Sequence, residues 1–220
     1  MLGFVLRSRY WNLPRRWAMA SLYVIAFLLL SSASKISAVA GEQLYEDVQL
    51  YLDLGQADKA MLSIRKIKDQ QSDSLYHYYL GRITSMQMQN KESIKYFQKA
   101  IQLDPKHAKS FASMALVQGR MGDFQSAIKN LDRAISIEPG YAKAYSNRGV
   151  TRGAMKQNQA ALSDFNQSIR LDPRLADAYR NRGITREMIG DLKGACADWK
   201  IAGALGQDGP KQWFAAQCKS

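Results

Sequence analysis

The chain has 220 residues, 46% hydrophobic and 23% charged, with 2 cysteines; this excludes a polar disordered chain and a disulfide-dense miniprotein. Lysine and arginine outnumber aspartate and glutamate by 31 to 19, a formal charge of +12. Charge of that size does not by itself separate nucleic acid, anionic membrane and acidic protein as partners.

Residues 1–40 read as an export signal. Arg7, Arg9, Arg15 and Arg16 precede an apolar run from Trp17 to Leu30, and no acidic residue occurs before Glu42. Ala38-Val39-Ala40 before Gly41 is the small-x-small pattern at which signal peptides are cleaved. The other reading is an uncleaved anchor. The apolar run is short for a span, which needs roughly 20 residues, but Ser31 to Ala33 extend it, so the membrane would be met through 17–33. Positive charge stays on the cytoplasmic side, so both readings put 41–220 outside the cytoplasm: periplasm, thylakoid lumen or extracellular space. The Arg15-Arg16 pair lacks the polar residue that usually precedes it in twin-arginine signals and carries little weight.

Residues 41–73 contain "LYLDLGQADKAMLSIRKI", which places Gly55 and Ala60 as Gly122 and Ala127 are placed further on. The segment reads as a degenerate first helix pair. From residue 74 the chain repeats every 34 residues: Asp104-Pro105, Glu138-Pro139 and Asp172-Pro173 recur at that interval. The same register aligns His77, Phe111, Tyr145 and Tyr179, then Gly81, Ala115, Gly149 and Gly183. It also aligns Ser93, Ala127, Ala161 and Ala195; Phe97, Leu131, Phe165 and Trp199; and Ala100, Ala134, Ser168 and Ala202. The units are 74–107, 108–141, 142–175 and 176–209. Apolar residues recur at helical steps within each. Gly122-Asp123 and Gly190-Asp191 break the period in mid-unit, and the acidic-Pro pair breaks it at the end. Each unit is therefore a pair of antiparallel helices that must stack on its neighbours to bury its apolar face. Residues 210–220, within "DGPKQWFAAQCKS", read as a capping helix with Trp213 and Phe214 covering the last pair.

The columns closely resemble the tetratricopeptide repeat family, on "YLGRI", "AIQLDP", "AYSNRG", "ALSDFNQSIRLDP" and "GACADWKIAGALG". Gln207 departs from the pattern by replacing the last proline, and the second aromatic column reads Thr84, Gln118, Arg152 and Arg186. The resemblance implies an all-α, right-handed superhelical solenoid whose first helices line a concave groove. It implies that Asn147 and Asn181 hold the backbone of a bound peptide. Their neighbours on that face would be Tyr78, Arg82, Lys109, Leu116, Lys143, Val150, Asp177, Arg180 and Ile184. The Lys, Asn and Arg set by which some relatives grip an acidic C-terminus is not reproduced in any register.

Arg148 and Arg182 stand where other units have Leu80 and Met114, and Asp164 and Asp198 stand where others have Tyr96 and Asn130. Arginine and aspartate enter the same two repeats together, so each pair joins the two helices of one unit. Arg152 and Arg186, one turn on, are expected to pack their stems and expose their heads. Cys196 and Cys218 either pair, pinning the cap, or remain a buried small residue and a terminal thiol.

Catalysis finds no support here. His77 sits in a packing column and His107 in a turn; metal-ligand spacing, a phosphate loop and a nucleophile with a credible base are all missing. No cofactor or metal is expected. The export signal argues against a nucleic-acid partner. The expected activity is stoichiometric binding of a protein or extended peptide, for scaffolding or assembly of an envelope or lumenal complex. The alternative is a structural adaptor that associates with itself.

Overall fold

A computed structural model describes residues 42–67 and 72–218, without the side chains of 215–217. The export-signal reading of 1–40 lies outside the described residues. Among those described there is no strand, and no helix is long and apolar enough to cross a membrane.

Helices α1 (42–53) and α2 (Ala57–Ile64) come first. Four longer pairs follow: α3 (Ser74–Met86) with α4 (Asn90–Leu103), and α5 (Ala108–Arg120) with α6 (Phe124–Ile137). Next come α7 (Ala142–Ala154) with α8 (Asn158–Leu171), and α9 (Ala176–Met188) with α10 (Leu192–Ala204). The cap α11 (Asp208–Gln217) starts two residues earlier than position 210, with Pro210 inside its first turn, where a missing N–H costs nothing.

Local chemistry sets these limits. Asp104, Glu138 and Asp172 end α4, α6 and α8 with φ of −132°, −130° and −139°, the extended backbone that a following proline favours. The Asp104 carboxylate then accepts from Lys106 N at 2.9 Å, and that of Asp172 from Arg174 N at 3.0 Å, closing both turns. Asp73, Asp123 and Asp191 cap α3, α6 and α10 by accepting amide hydrogens of the first turn. Between the helices of each pair one residue takes positive φ: Met88 (61°), Gly122 (82°), Lys156 (60°) and Gly190 (86°). Two of these four carry a side chain in a conformation that glycine adopts without penalty.

Within a pair, a small residue of the first helix meets a bulky one of the second. An added Cβ would stand 2.6 Å from the Phe97 ring at Gly81 and 2.8 Å from the Phe165 ring at Gly149. Gly183 meets Trp199 in the same way. In the second unit Ala115 stands with the smaller Leu131, so the two columns vary together in size. Phe97, Phe165 and Trp199 are 1% exposed, each burial worth about 2–3 kcal/mol. The serines in the alanine columns are satisfied: Ser93 Oγ donates to Gly81 O at 2.8 Å and Ser168 Oγ to Ala142 O at 2.9 Å.

Each second helix packs on the next first helix, α4 on α5 and onward to α8 on α9. First helices also touch each other, α3 with α5, α5 with α7 and α7 with α9, while no second helix packs comparably on the next. The first helices therefore form the close-set inner wall of a curved stack, and the second helices its splayed outer layer.

The inner face as a candidate binding surface

The inner wall exposes two kinds of side chain. Lys109 and Lys143, in the first turns of α5 and α7, are exposed and make no ion pair among the described residues. Two turns along the same helices, Leu116 and Val150 are 50% and 45% exposed. Asn147 and Asn181 lie half-buried beside them, and their side-chain amides make no hydrogen bond among the described residues. Their main-chain oxygens are occupied, accepting from Thr151 Oγ1 at 2.9 Å and Thr185 Oγ1 at 3.0 Å. Further along the wall Ile184 is half-buried, and Asp177 is tied to Arg180 at 3.3 Å and to Gln207 Nε2 at 2.7 Å.

Two residues expected on this surface are placed elsewhere. Tyr78 is 7% exposed, packed edge-on against His107 with ring centres 4.8 Å apart. Arg82 turns away toward α1: it donates to Gln49 Oε1, lies 3.9 Å from Asp53, and covers the Tyr78 and Tyr79 rings at 5.7 and 5.8 Å. Its partners Gln49 and Asp53 belong to a helix outside the regular repeats.

The structure brings Arg148 to Asp164 and Arg182 to Asp198. Arg148 Nε and Nη2 donate to Asp164 at 3.1 and 2.7 Å; Arg182 Nε and Nη2 donate to Asp198 at 2.9 and 2.6 Å. Both are two-pronged guanidinium–carboxylate pairs, with the aspartates 3% and 1% exposed. The arginines also cover the rings of Tyr145 and Tyr179 at 5.4 and 5.5 Å. The heads of Arg152 and Arg186 are not free in solvent. Each donates to the second oxygen of the same aspartate, Arg152 to Asp164 and Arg186 to Asp198, both at 2.8 Å. A buried carboxylate has more lone pairs than one guanidinium fills, and the arginine one turn on fills the rest.

One further partner escapes a reading by units. The remaining Nη1 of Arg148 donates to Asp132 at 2.6 Å, and that of Arg182 to Asn166 at 2.7 Å. Asp132 and Asn166 lie on the second helix of the preceding unit, so these arginines also join one unit to the next. The signal is in the sequence, since each acceptor stands 16 residues before its arginine. Burial opposes the charge on Arg148, but the hydrogen bonds it donates to Asp164 and Asp132 outweigh it and raise its pKa. Every guanidinium in this network is bound to a carboxylate of the fold.

A disulfide joins Cys196 on α10 to Cys218 at the end of α11, with Cα atoms 5.7 Å apart. Trp199 and Trp213 meet edge to face beside it at 5.6 Å.

His107 does have a serine beside it: its Nδ1 lies 2.7 Å from Ser110 Oγ. Ser110 is 0% exposed, and the contact ties down the start of α5 where no substrate reaches. Burial lowers the His107 pKa, partly opposed by Asp104. Among the described residues no three His, Cys, Asp or Glu side chains have metal-holding geometry. A depression of about 490 Å³ lined by Asp58, Met61, Leu62, Arg65, Gln87 and Gln89 lies at the α2 end, away from the inner columns.

The tetratricopeptide repeat family profile matches residues 87–107, 108–141 and 142–175. No curated protein sequence matches the chain. Among solved structures, TTC0263 of Thermus thermophilus, titled a thermophilic TPR protein, superposes with a TM-score of 0.71 at 18% identity, covering 81% of this chain and 98% of that one. PilF of Pseudomonas aeruginosa gives 0.69 at 16% identity, covering 82% and 90%. MamA (41-end) of Desulfovibrio magneticus RS-1 gives 0.58 at 18% identity, covering 77% and 97%. At such identities the likeness is one of fold. The profile match and these superpositions together place tetratricopeptide repeats at 87–175, within a chain whose fold is that of tetratricopeptide repeat arrays.

Proposed function

We propose that this protein is a non-catalytic, exported adaptor that holds a protein or extended peptide against its inner wall, in the assembly of an envelope or lumenal complex. One observation carries the reading. Lys109, Lys143, Leu116, Val150, Asn147 and Asn181 form a surface of cations, apolar side chains and amides that no other described part of the chain satisfies. The part-buried Arg148 and Arg182, by contrast, are satisfied within the fold, each down to its third nitrogen. A helical array built in advance loses little ordering entropy on binding, so a few such contacts hold an extended segment. The charge and apolar pattern of 1–40 supports export.

The test compares the full chain with an Asn147→Ala/Asn181→Ala variant as baits in extracts of the exported compartment. A partner held by the first should bind the second about tenfold more weakly, the size of two neutral hydrogen bonds. Thermal unfolding should be unchanged. A partner bound equally by both, or a large fall in melting temperature, overturns the assignment of these asparagines.

A further inference from the structure

Helix α1 has an exposed side of its own. Glu42, Glu46, Leu50, Asp53 and Leu54 are exposed and recur at three- and four-residue steps, one stripe along the helix. Leu50 and Leu54 are 55% and 58% exposed. The opposite side, with Val48 and Leu52, is buried in the core shared with α2 and α3. The stripe is acidic at its start and apolar at its end, and Glu42 and Glu46 make no ion pair among the described residues. From 42 to 58 there are five acidic residues (Glu42, Glu46, Asp47, Asp53 and Asp58) and no basic one. In a chain of charge +12 this is a local reversal of sign.

The inner wall is its complement. Lys109 and Lys143 stand in register one unit apart, with Leu116 and Val150 seven residues further along each helix. At the rise of an α-helix the basic and apolar rows are about 10 Å apart. On α1, Glu42 and Leu50 are about 12 Å apart by the same rise. Charge order and spacing therefore match: carboxylates reach lysines when the leucines reach Leu116 and Val150. In its own chain α1 is held on α2 and α3 by its buried side. Of the exposed stripe, Asp53 is already bound by Gln49 and Arg82, while the side chains of Glu42, Glu46, Leu50 and Leu54 make no polar bond among the described residues.

We propose that the α1 stripe of one chain docks in the inner wall between α5 and α7 of a second copy, so that the protein assembles head to groove. This rests on reading the inner wall as the binding surface. The two surfaces are different patches of one chain, so the contact is heterologous. Each bound copy still presents a free stripe and a free groove, and the assembly continues as a ring or an open filament. Two ion pairs at the edge of the contact make it salt-sensitive.

The test is a charge swap read by sedimentation velocity on the full chain. Wild type should show a mass that rises with concentration and falls when salt is raised. Glu42→Lys/Glu46→Lys and Lys109→Glu/Lys143→Glu should each sediment as monomers, with the helical signal and melting temperature of wild type. Mixed with each other, the two variants should regain concentration-dependent assembly, most strongly in equal proportion, because the reversed stripe meets the reversed groove and the unreversed stripe the unreversed groove. A wild type that stays monomeric to about a hundred micromolar, or reversals that leave its assembly unchanged, overturns the proposal. A synthetic peptide of residues 42–58 serves as the second arm. If it binds the monomer and loses at least tenfold affinity on Lys109→Glu/Lys143→Glu, the inner wall is a binding surface even though self-docking has failed. If neither assembly nor peptide binding occurs, self-docking and this use of the lysines fall together.

Discussion

Arg148 illustrates how these repeats distribute their polar bonds. Three of its nitrogens are occupied by Asp164 and Asp132, and its plane covers Tyr145. Replacing it by leucine leaves a nearly buried carboxylate with Arg152 alone, at a cost of about 3 kcal/mol, the lower end for breaking a buried pair. Arg148→Leu combined with Asp164→Asn should cost much less than the sum of the single changes. Denaturant midpoints of the four proteins in this cycle measure the coupling, and additivity would show that the pair is energetically independent. The pairing was legible from sequence because arginine and aspartate replace other residue types in the same two units. The role of Arg152 and Arg186 was not, since their column is a packing column in the family pattern and a period does not report how far a guanidinium reaches. Arg82 was illegible for another reason: its partners Gln49 and Asp53 belong to the degenerate α1, whose register against α3 is set by tertiary packing.

At the scale of elements, the informative position is the turn between the two helices of a unit. Gly122 and Gly190 mark it by residue type, while Met88 and Lys156 hold the same left-handed backbone with a side chain attached. Only alignment at the 34-residue period shows that the four are equivalent, so this strain is hidden from any local reading. Both residues are exposed, and neither contributes a buried contact that glycine would lose. Lys156→Gly is therefore expected to stabilise the fold by about 1 kcal/mol, the usual penalty for a side chain in that region, offset in part by a freer unfolded chain. Urea unfolding should show a raised midpoint at unchanged slope. The covarying columns Gly149–Phe165 and Ala115–Leu131 were legible as columns, but their direct contact is visible only in the fold.

For the molecule as a whole, stability accumulates from unit to neighbouring unit, and the two ends are the weak points. At the C-terminal end α11 is clipped by the Cys196–Cys218 disulfide, which closes a loop of sequence separation 22. A loop of that length constrains the unfolded chain by about 3 kcal/mol in the chain-entropy account. Reduction, or Cys218→Ser, should free α11 first, with little effect on the four pairs before it. Hydrogen exchange should report lost protection over 208–217 while α3 to α8 keep theirs; uniform loss throughout would mean that the array unfolds as one cooperative block. The all-helical repeat fold was readable from its period, whereas closure of the last pair by a bonded cap depended on how α11 folds back.

The unequal packing of the two layers has a mechanical consequence. First helices touch along the inner wall from α3 to α9, whereas second helices pack on the first helices beside them, α10 also on the cap α11, and not comparably on one another. The stack therefore has a continuous spine and free outer leaves, like a bound book. Opening or closing the angle between units shears the outer layer while the spine contacts are kept, which makes curvature the soft coordinate of the molecule and unit thickness the stiff one. The Arg148–Asp132 and Arg182–Asn166 bonds act as latches across two of these hinges, and no arginine equivalent exists where Met114 stands. Between the first two full units the tie is of another kind, Arg120 of α5 donating to Ser85 and Asn90 of the unit before, so an occupant of the groove meets a latch at each of the three junctions and changes its width by small adjustments at all of them.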